Sequence, residues 1–202
     1  MSDTNEVKIR LMLIRHGITQ GNIEKRYMGQ TDMSLCTEGI RAIQKKASEG
    51  TYPDAQMLFI SPLKRCRETA RIIYPTMEPI IIEELKEMDF GDFEGKNYND
   101  LNDNPVYQAY IDSNGELAFP NGENKQQFSE RVMKGLEMVI ATAAQEGVQT
   151  IACIVHGGTT MAACAGLGLA EYFDSIVGNG GLLEIDITYD ISHSRISSGV
   201  LA

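Results

Sequence analysis

The chain has 202 residues, 43% of them hydrophobic and 23% charged, which suits one globular domain spanning 1–202 that buries a core without covalent staples. Its formal net charge of −10 argues against general nucleic-acid binding, because phosphate backbones reward basic surfaces. No apolar run reaches the roughly 18 residues of a membrane span, and the polar start Met1-Ser2-Asp3-Thr4-Asn5-Glu6 lacks a signal peptide's basic and apolar stretches, so a cytoplasmic protein is expected.

In chain order, an apolar run over 7–14 predicts a strand, and it leads straight into Arg15-His16-Gly17. A helix is expected over 37–48 and a strand over 57–60. Ser61-Pro62 then opens a helix over 63–74, since proline suits a first helical turn. A strand follows at 79–83. The acidic segment 84–95 and the polar, tyrosine-bearing segment 98–119 come next, the latter read as a helical excursion, so that 97–120 roofs a pocket. Phe128, Val132, Leu136, Val139, Ile140 and Ala143 recur at spacings of three and four, which predicts a long amphipathic helix over 124–145. A strand at 150–155 runs into His156-Gly157-Gly158, a small apolar helix follows at 159–169, and a last strand lies at 182–188. Strands alternating with helices predict a three-layer α/β fold, a mostly parallel sheet with helices on both faces. In such folds ligands bind beyond the carboxyl ends of the strands.

The chain has three histidines, and two of them, His16 and His156, stand at strand exits followed by glycine. A neutral imidazole beside a permanently charged guanidinium suits attack on a phosphoryl group, with Arg15 as a fork for its oxygens. Gly17 leaves room for close backbone approach. Arg65, one turn into the helix after Ser61-Pro62, points back toward the same sheet edge, whereas Arg67 and Arg71 read as solvated. His156 stands ready to donate to the phosphoryl group, and Gly157 opens a helix whose exposed N–H groups favour an anion. Five carboxylates, Glu84, Glu87, Asp89, Asp92 and Glu94, compete for the role of general acid, and the residues alone do not choose among them. His193 follows no such exit and reads as a surface or edge-strand residue. Cys36, Cys66, Cys153 and Cys164 lack CxxC spacing, so free thiols are expected rather than a disulfide framework or a zinc site.

In order, Arg15-His16-Gly17-Ile18-Thr19 with Asn22, Arg26-Tyr27-Met28-Gly29, Ser61-Pro62-Leu63-Lys64-Arg65, Leu85-Lys86-Glu87 through Phe90-Gly91-Asp92-Phe93-Glu94-Gly95, and Val155-His156-Gly157-Gly158 resemble the motifs of the histidine phosphatase superfamily, in its phosphoglycerate mutase-like branch. The resemblance runs from Leu13 to about Leu169. It implies a phosphoglycerate mutase-like fold, with His16 phosphorylated in turnover and Arg15, Arg65 and His156 gripping the phosphate. It further implies Asn22 as an added polar contact, Glu87 as the proton donor and Glu94 as a structural loop residue. No metal and no organic cofactor is implied. The segment Phe90 to Gly95 looks most like that of alpha-ribazole and broad-specificity phosphatases. The expected function is therefore a metal-independent phosphomonoesterase acting on a small phosphorylated metabolite, with alpha-ribazole phosphate as one candidate. A mutase-type phosphotransferase and a non-catalytic phospholigand-binding domain are the alternatives. The departures Leu35-Cys36, Ala42-Ile43, Phe93 and Gly122-Glu123-Asn124 lie away from the phosphate grip. The sequence leaves the oligomeric state open.

Overall fold

A computed structural model describes residues 5–113 and 115–202. The elements run β1 (Glu6–Arg15), α1 (Gln20–Ile23), α2 (Thr37–Ser48), β2 (Met57–Ile60), α3 (Lys64–Ile73) and β3 (Ile80–Ile81). After 3-10 turns at Glu83–Leu85 and Gly91–Phe93 come α4 (Tyr98–Leu101), α5 (Pro105–Asp112), α6 (Lys125–Gln145), β4 (Thr150–Val155), α7 (Gly157–Gly166), β5 (Leu182–Asp190) and β6 (Arg195–Leu201).

The six strands form one sheet in the order β3-β2-β4-β1-β5-β6. The first four are mutually parallel, and β5 and β6 continue the sheet antiparallel. The central strands are apolar on both faces because helices cover both. Leu11 and Leu13 of β1, with Ile151, Cys153 and Val155 of β4, point toward α6 and α7. Met12 and Ile14, with Ala152 and Ile154, point toward Cys66 and Ala70 of α3. The period-two alternation of a strand thus feeds two separate cores from one near-continuous apolar run.

The long helix α6 begins where a capping box closes it: the Asn124 side chain accepts from the Gln127 N–H and the Gln127 side chain from the Asn124 N–H. Its predicted stripe, from Phe128 to Ala143, is fully buried. Cys36 caps α2 through its sulfur, which accepts from the Gly39 N–H. The strand β6 is not predicted by the sequence. Arg195–Leu201 is an edge strand with mostly exposed side chains and Gly199 inside it, so neither alternation nor an apolar run marks it. His193 lies in the turn between β5 and β6, exposed and bonded through Nδ1 to Asp190. Of the segment 98–119, α4 and α5 are the helical parts, and Tyr107 and Phe119 pack into the core; Asn114 lies outside the described residues. All four cysteines are free thiols, and burial pushes the Cys66 thiol up to about 12. No helix among the described residues is long and apolar enough to cross a membrane.

Candidate active site

Parallel pairing of β1 with β4 places Arg15 opposite Val155, so His16 and His156 leave neighbouring strands at the same level. The His16 N–H donates to the Val155 carbonyl at 2.9 Å, and the two imidazoles meet edge to face with centroids 5.1 Å apart. Residues 140 positions apart in sequence therefore share one site because adjacent strands end together.

His16 Nδ1 lies 2.7 Å from its neighbour's carbonyl, that of Gly17. A carbonyl only accepts, so the proton of the neutral ring sits on Nδ1 and Nε2 keeps its lone pair. Burial holds the His16 ring well below the usual imidazole value of 6.5, and the Arg65 and Arg15 charges push the same way. His16 is thus a neutral, dry nitrogen base at any pH near 7.

Arg65 is the largest fully buried side chain. Its Nη1 donates to the Thr31 carbonyl and its Nη2 to that of Gly29, while its Nε donates to His156 Nδ1 at 3.2 Å. His156 Nδ1 is therefore an acceptor, which puts the ring's proton on Nε2, 2.7 Å from Ser61 Oγ. Burial and the Arg65 charge also hold His156 well below 6.5. Both ring nitrogens of His156 have protein partners in this structure. From the opposite side, Glu94 accepts from the N–H groups of Gly29, Gln30, Thr31 and Phe90 and from the Thr31 hydroxyl. Loop 28–31 is clamped between a cation on its carbonyls and an anion on its amides.

Of the five carboxylates the sequence left open, only Glu87 is buried. Its Oε1 accepts from the Met88 N–H at 2.9 Å, and its Oε2 from the Gly158 N–H at 3.0 Å. Gly158 is the second residue of α7, so Glu87 takes an orphan donor of that helix from a distant part of the chain. Burial raises the Glu87 carboxyl above the usual 4.5, against the lowering effect of those N–H groups and of Arg65 and Arg15. Glu84 pairs with Lys134, Asp89 accepts from the Gly91 N–H, and Asp92 accepts from Asn121, all away from the histidines.

His16, Arg15, Asn22, Glu87 and Gly157 line a cavity of about 420 Å³. Arg15 donates through Nη1 to the Val177 carbonyl, while its buried Nε has no partner and faces Gly157, where a Cβ would come within 3.0 Å of the guanidinium carbon. Glycine at 157 is what lets the cation lie against the start of α7. At Gly158 a Cβ would collide with Glu87 Oε1. The Asn22 amide oxygen accepts from the Thr19 N–H, closing the α1 capping box. Arg65 and His156 are buried and do not line this cavity. Tyr27, Phe90, Tyr110, Tyr172 and Phe173 also line it. Two residues at the site carry no assignment from sequence: Ser61, visible only as the first letter of Ser-Pro-x-x-Arg, and Asn179, which lies between glycines ahead of β5.

A neutral buried imidazole, buried positive charge and a raised carboxyl stand together at the carboxyl edge of a parallel sheet on an α/β scaffold. The family model of the histidine phosphatase superfamily (branch 1) matches residues 11–194, and the chain belongs to that family. It is a phosphatase of the family. An adenosylcobalamin/alpha-ribazole phosphatase of Escherichia coli is 35% identical over 155 residues, covering 74% of each chain. A broad-specificity phosphatase of Saccharomyces cerevisiae is 32% identical over 167 residues, covering 78% of this chain and 69% of its own. The crystal structure of the alpha-ribazole phosphatase from Shigella flexneri superposes with a TM-score of 0.80 at 28% identity, over 96% of this chain and 95% of that one.

Proposed function

We propose that the chain is a phosphomonoesterase that works through a phosphohistidine at His16. The observation that carries this reading is the Nδ1–H of His16 held on the Gly17 carbonyl, which leaves Nε2 unprotonated inside the cavity. In the first step Nε2 attacks phosphorus in line, the ester P–O bond breaks, and Glu87 gives its proton to the leaving oxygen. In the second step Glu87, now a carboxylate, takes a proton from water as that water attacks the phosphohistidine, and His16 leaves as the neutral ring.

Arg15 and the start of α7 at Gly157 stabilise the equatorial oxygens, with Asn22 as a further contact. Arg65 supplies buried positive charge and orients His156. For His156 to donate to a phosphoryl oxygen, one ring nitrogen must exchange Ser61 or Arg65 for the ester. Each step is carried by side chains of the chain itself.

The substrate of this proposal is a small phosphorylated metabolite in a cytoplasmic setting, and 97–120 is the part of a single domain that roofs its site, since Tyr110 and Gly115 line the cavity. Alpha-ribazole phosphate is a candidate. The similarity to an alpha-ribazole phosphatase and the aromatic lining of the cavity, which suits a flat ring, support it. A panel of phosphate esters without added metal, with His16→Ala as the blank, tests the reading. It should include alpha-ribazole phosphate, sugar phosphates, phosphoserine and phosphoglycerates. Turnover above the blank with one ester preferred is the expected result. No turnover above the blank would make the site a phospholigand-binding pocket instead.

A further inference from the structure

The loop that holds His16 is itself held by a segment far along the chain. Between α7 and β5, Val177, Asn179 and Gly180 lie across the exit of β1. The Val177 carbonyl accepts from Arg15 Nη1, and the Gly180 N–H reaches the carbonyls of Arg15 and His16 at 3.0 and 3.1 Å. The Gly180 carbonyl is fixed in turn by Lys46 Nζ and the Tyr52 hydroxyl, both at 2.8 Å. Asn179 makes the side-chain contacts. Its Nδ2 lies 3.2 Å from the His16 carbonyl, 3.4 Å from the Gly17 carbonyl and 3.2 Å from Asn22 Oδ1. All three partners are acceptors. The Asn22 oxygen is fixed as one by the Thr19 N–H it takes, so the atom of Asn179 that faces them is the nitrogen.

The Gly17 carbonyl is the group that fixes the His16 tautomer. It has two lone pairs, one facing the ring Nδ1–H and the other facing the Asn179 amide. We infer that Asn179 is a positioning residue for the nucleophile. Through the Gly17 carbonyl it keeps the His16 proton on Nδ1 and the attacking lone pair on Nε2, and through Asn22 it ties α1 to the same anchor. This rests on His16 being the nucleophile, as proposed above. It adds a determinant that lies 163 residues from His16 in sequence and outside every motif recognised in the chain.

The test uses the full chain with 15N-labelled histidine. Only three imidazoles contribute, and His193 is exposed, which makes the buried pair separable. In the parent protein the ring of His16 should show the Nδ1–H tautomer. Asn179→Ala removes the donor, and Asn179→Asp removes it while keeping the side-chain volume, so loss of packing and loss of the hydrogen bond are separated. Both variants should show a mixed His16 tautomer. Both should lower kcat about tenfold or more on a simple aryl phosphate, with KM changing less than threefold. Retention of the pure Nδ1–H tautomer in a folded Asp variant would overturn the inference. So would a loss that falls on KM alone. The spectrum needs no turnover, so a parent protein without phosphatase activity would defeat the proposed function while still deciding the role of Asn179.

Discussion

At the scale of single residues, the proposed mechanism rests on opposed shifts in two groups. His16 is held well below 6.5 by burial and by Arg65, and Glu87 is raised above 4.5 by burial. Attack needs the ring neutral, and departure of a poor leaving group needs the carboxyl protonated. The kcat/KM profile for an alkyl phosphate should therefore be bell-shaped. Its acid limb should fall below the usual imidazole value and its alkaline limb should follow Glu87. An alkaline limb that persists unchanged in Glu87→Gln would show that another group supplies the proton. The same variant should lose about 10²- to 10⁴-fold on an alkyl phosphate but far less on nitrophenyl phosphate, whose leaving group needs little protonation. Equal losses on the two esters would count against Glu87 as the acid. The choice of Glu87 among five carboxylates was legible only through the family's motif. Sequence spacing does not tell a buried carboxyl from an exposed one, and burial is what sets it apart here.

At the scale of elements, the site depends on contacts between segments distant in sequence. Glu87 caps the first turn of α7 through Gly158, and no side chain of moderate size fits between them. Gly158→Ala should displace the carboxyl with little change in the fold, lowering kcat about 100-fold on alkyl phosphates. Near-normal kcat in that variant would show that the Glu87 position is not critical. Glu94 lies on the other side of the clamp around loop 28–31, where its carboxylate gathers four N–H groups and a hydroxyl. Glu94→Ala should cost about 1–3 kcal/mol in denaturant unfolding, with activity falling because Arg65 loses the carbonyls it is set against. A variant as stable as the parent would mean that water replaces the carboxylate without loss. The helices α2, α3, α6 and α7 and the central strands were readable from a period, a proline start or a continuous apolar run, and α6 carries its own capping box; the single turn α1 carries no such signal. The edge strand β6 has neither signal, and the segment 177–181 holds the exit of β1 largely through backbone groups, which leave no mark in residue type, with the Asn179 side-chain amide belonging to no recognised motif.

At the scale of the whole molecule, burying two neutral histidines couples folding to pH. The unfolded chain takes up protons on both rings near 6.5, while the folded chain binds them only at lower pH. The unfolded state then binds more protons just below 6.5, so stability must fall as the pH drops through that window. Glu87 contributes with opposite sign, because its folded value lies above 4.5 and its share is lost as pH rises. With two rings against one carboxyl, the parent should lose stability between about pH 7 and pH 5, and His16→Ala should lose less. An identical slope in both proteins would mean that His16 is not held neutral by the fold. The overall architecture was legible because parallel strands must end together at one edge, which brings His16 and His156 to a common point. What the sequence could not convey is that both nitrogens of His156 are engaged, by Ser61 and Arg65.

The phosphohistidine is tested most directly by rapid quenching of the enzyme with a 32P-labelled ester, followed by mapping of the labelled peptide. A label that is stable in base and lost in acid is expected on the peptide containing His16. It should be absent from His16→Ala and should accumulate in Glu87→Gln with an aryl phosphate. Steady turnover with no labelled intermediate, or label on another residue, would contradict it.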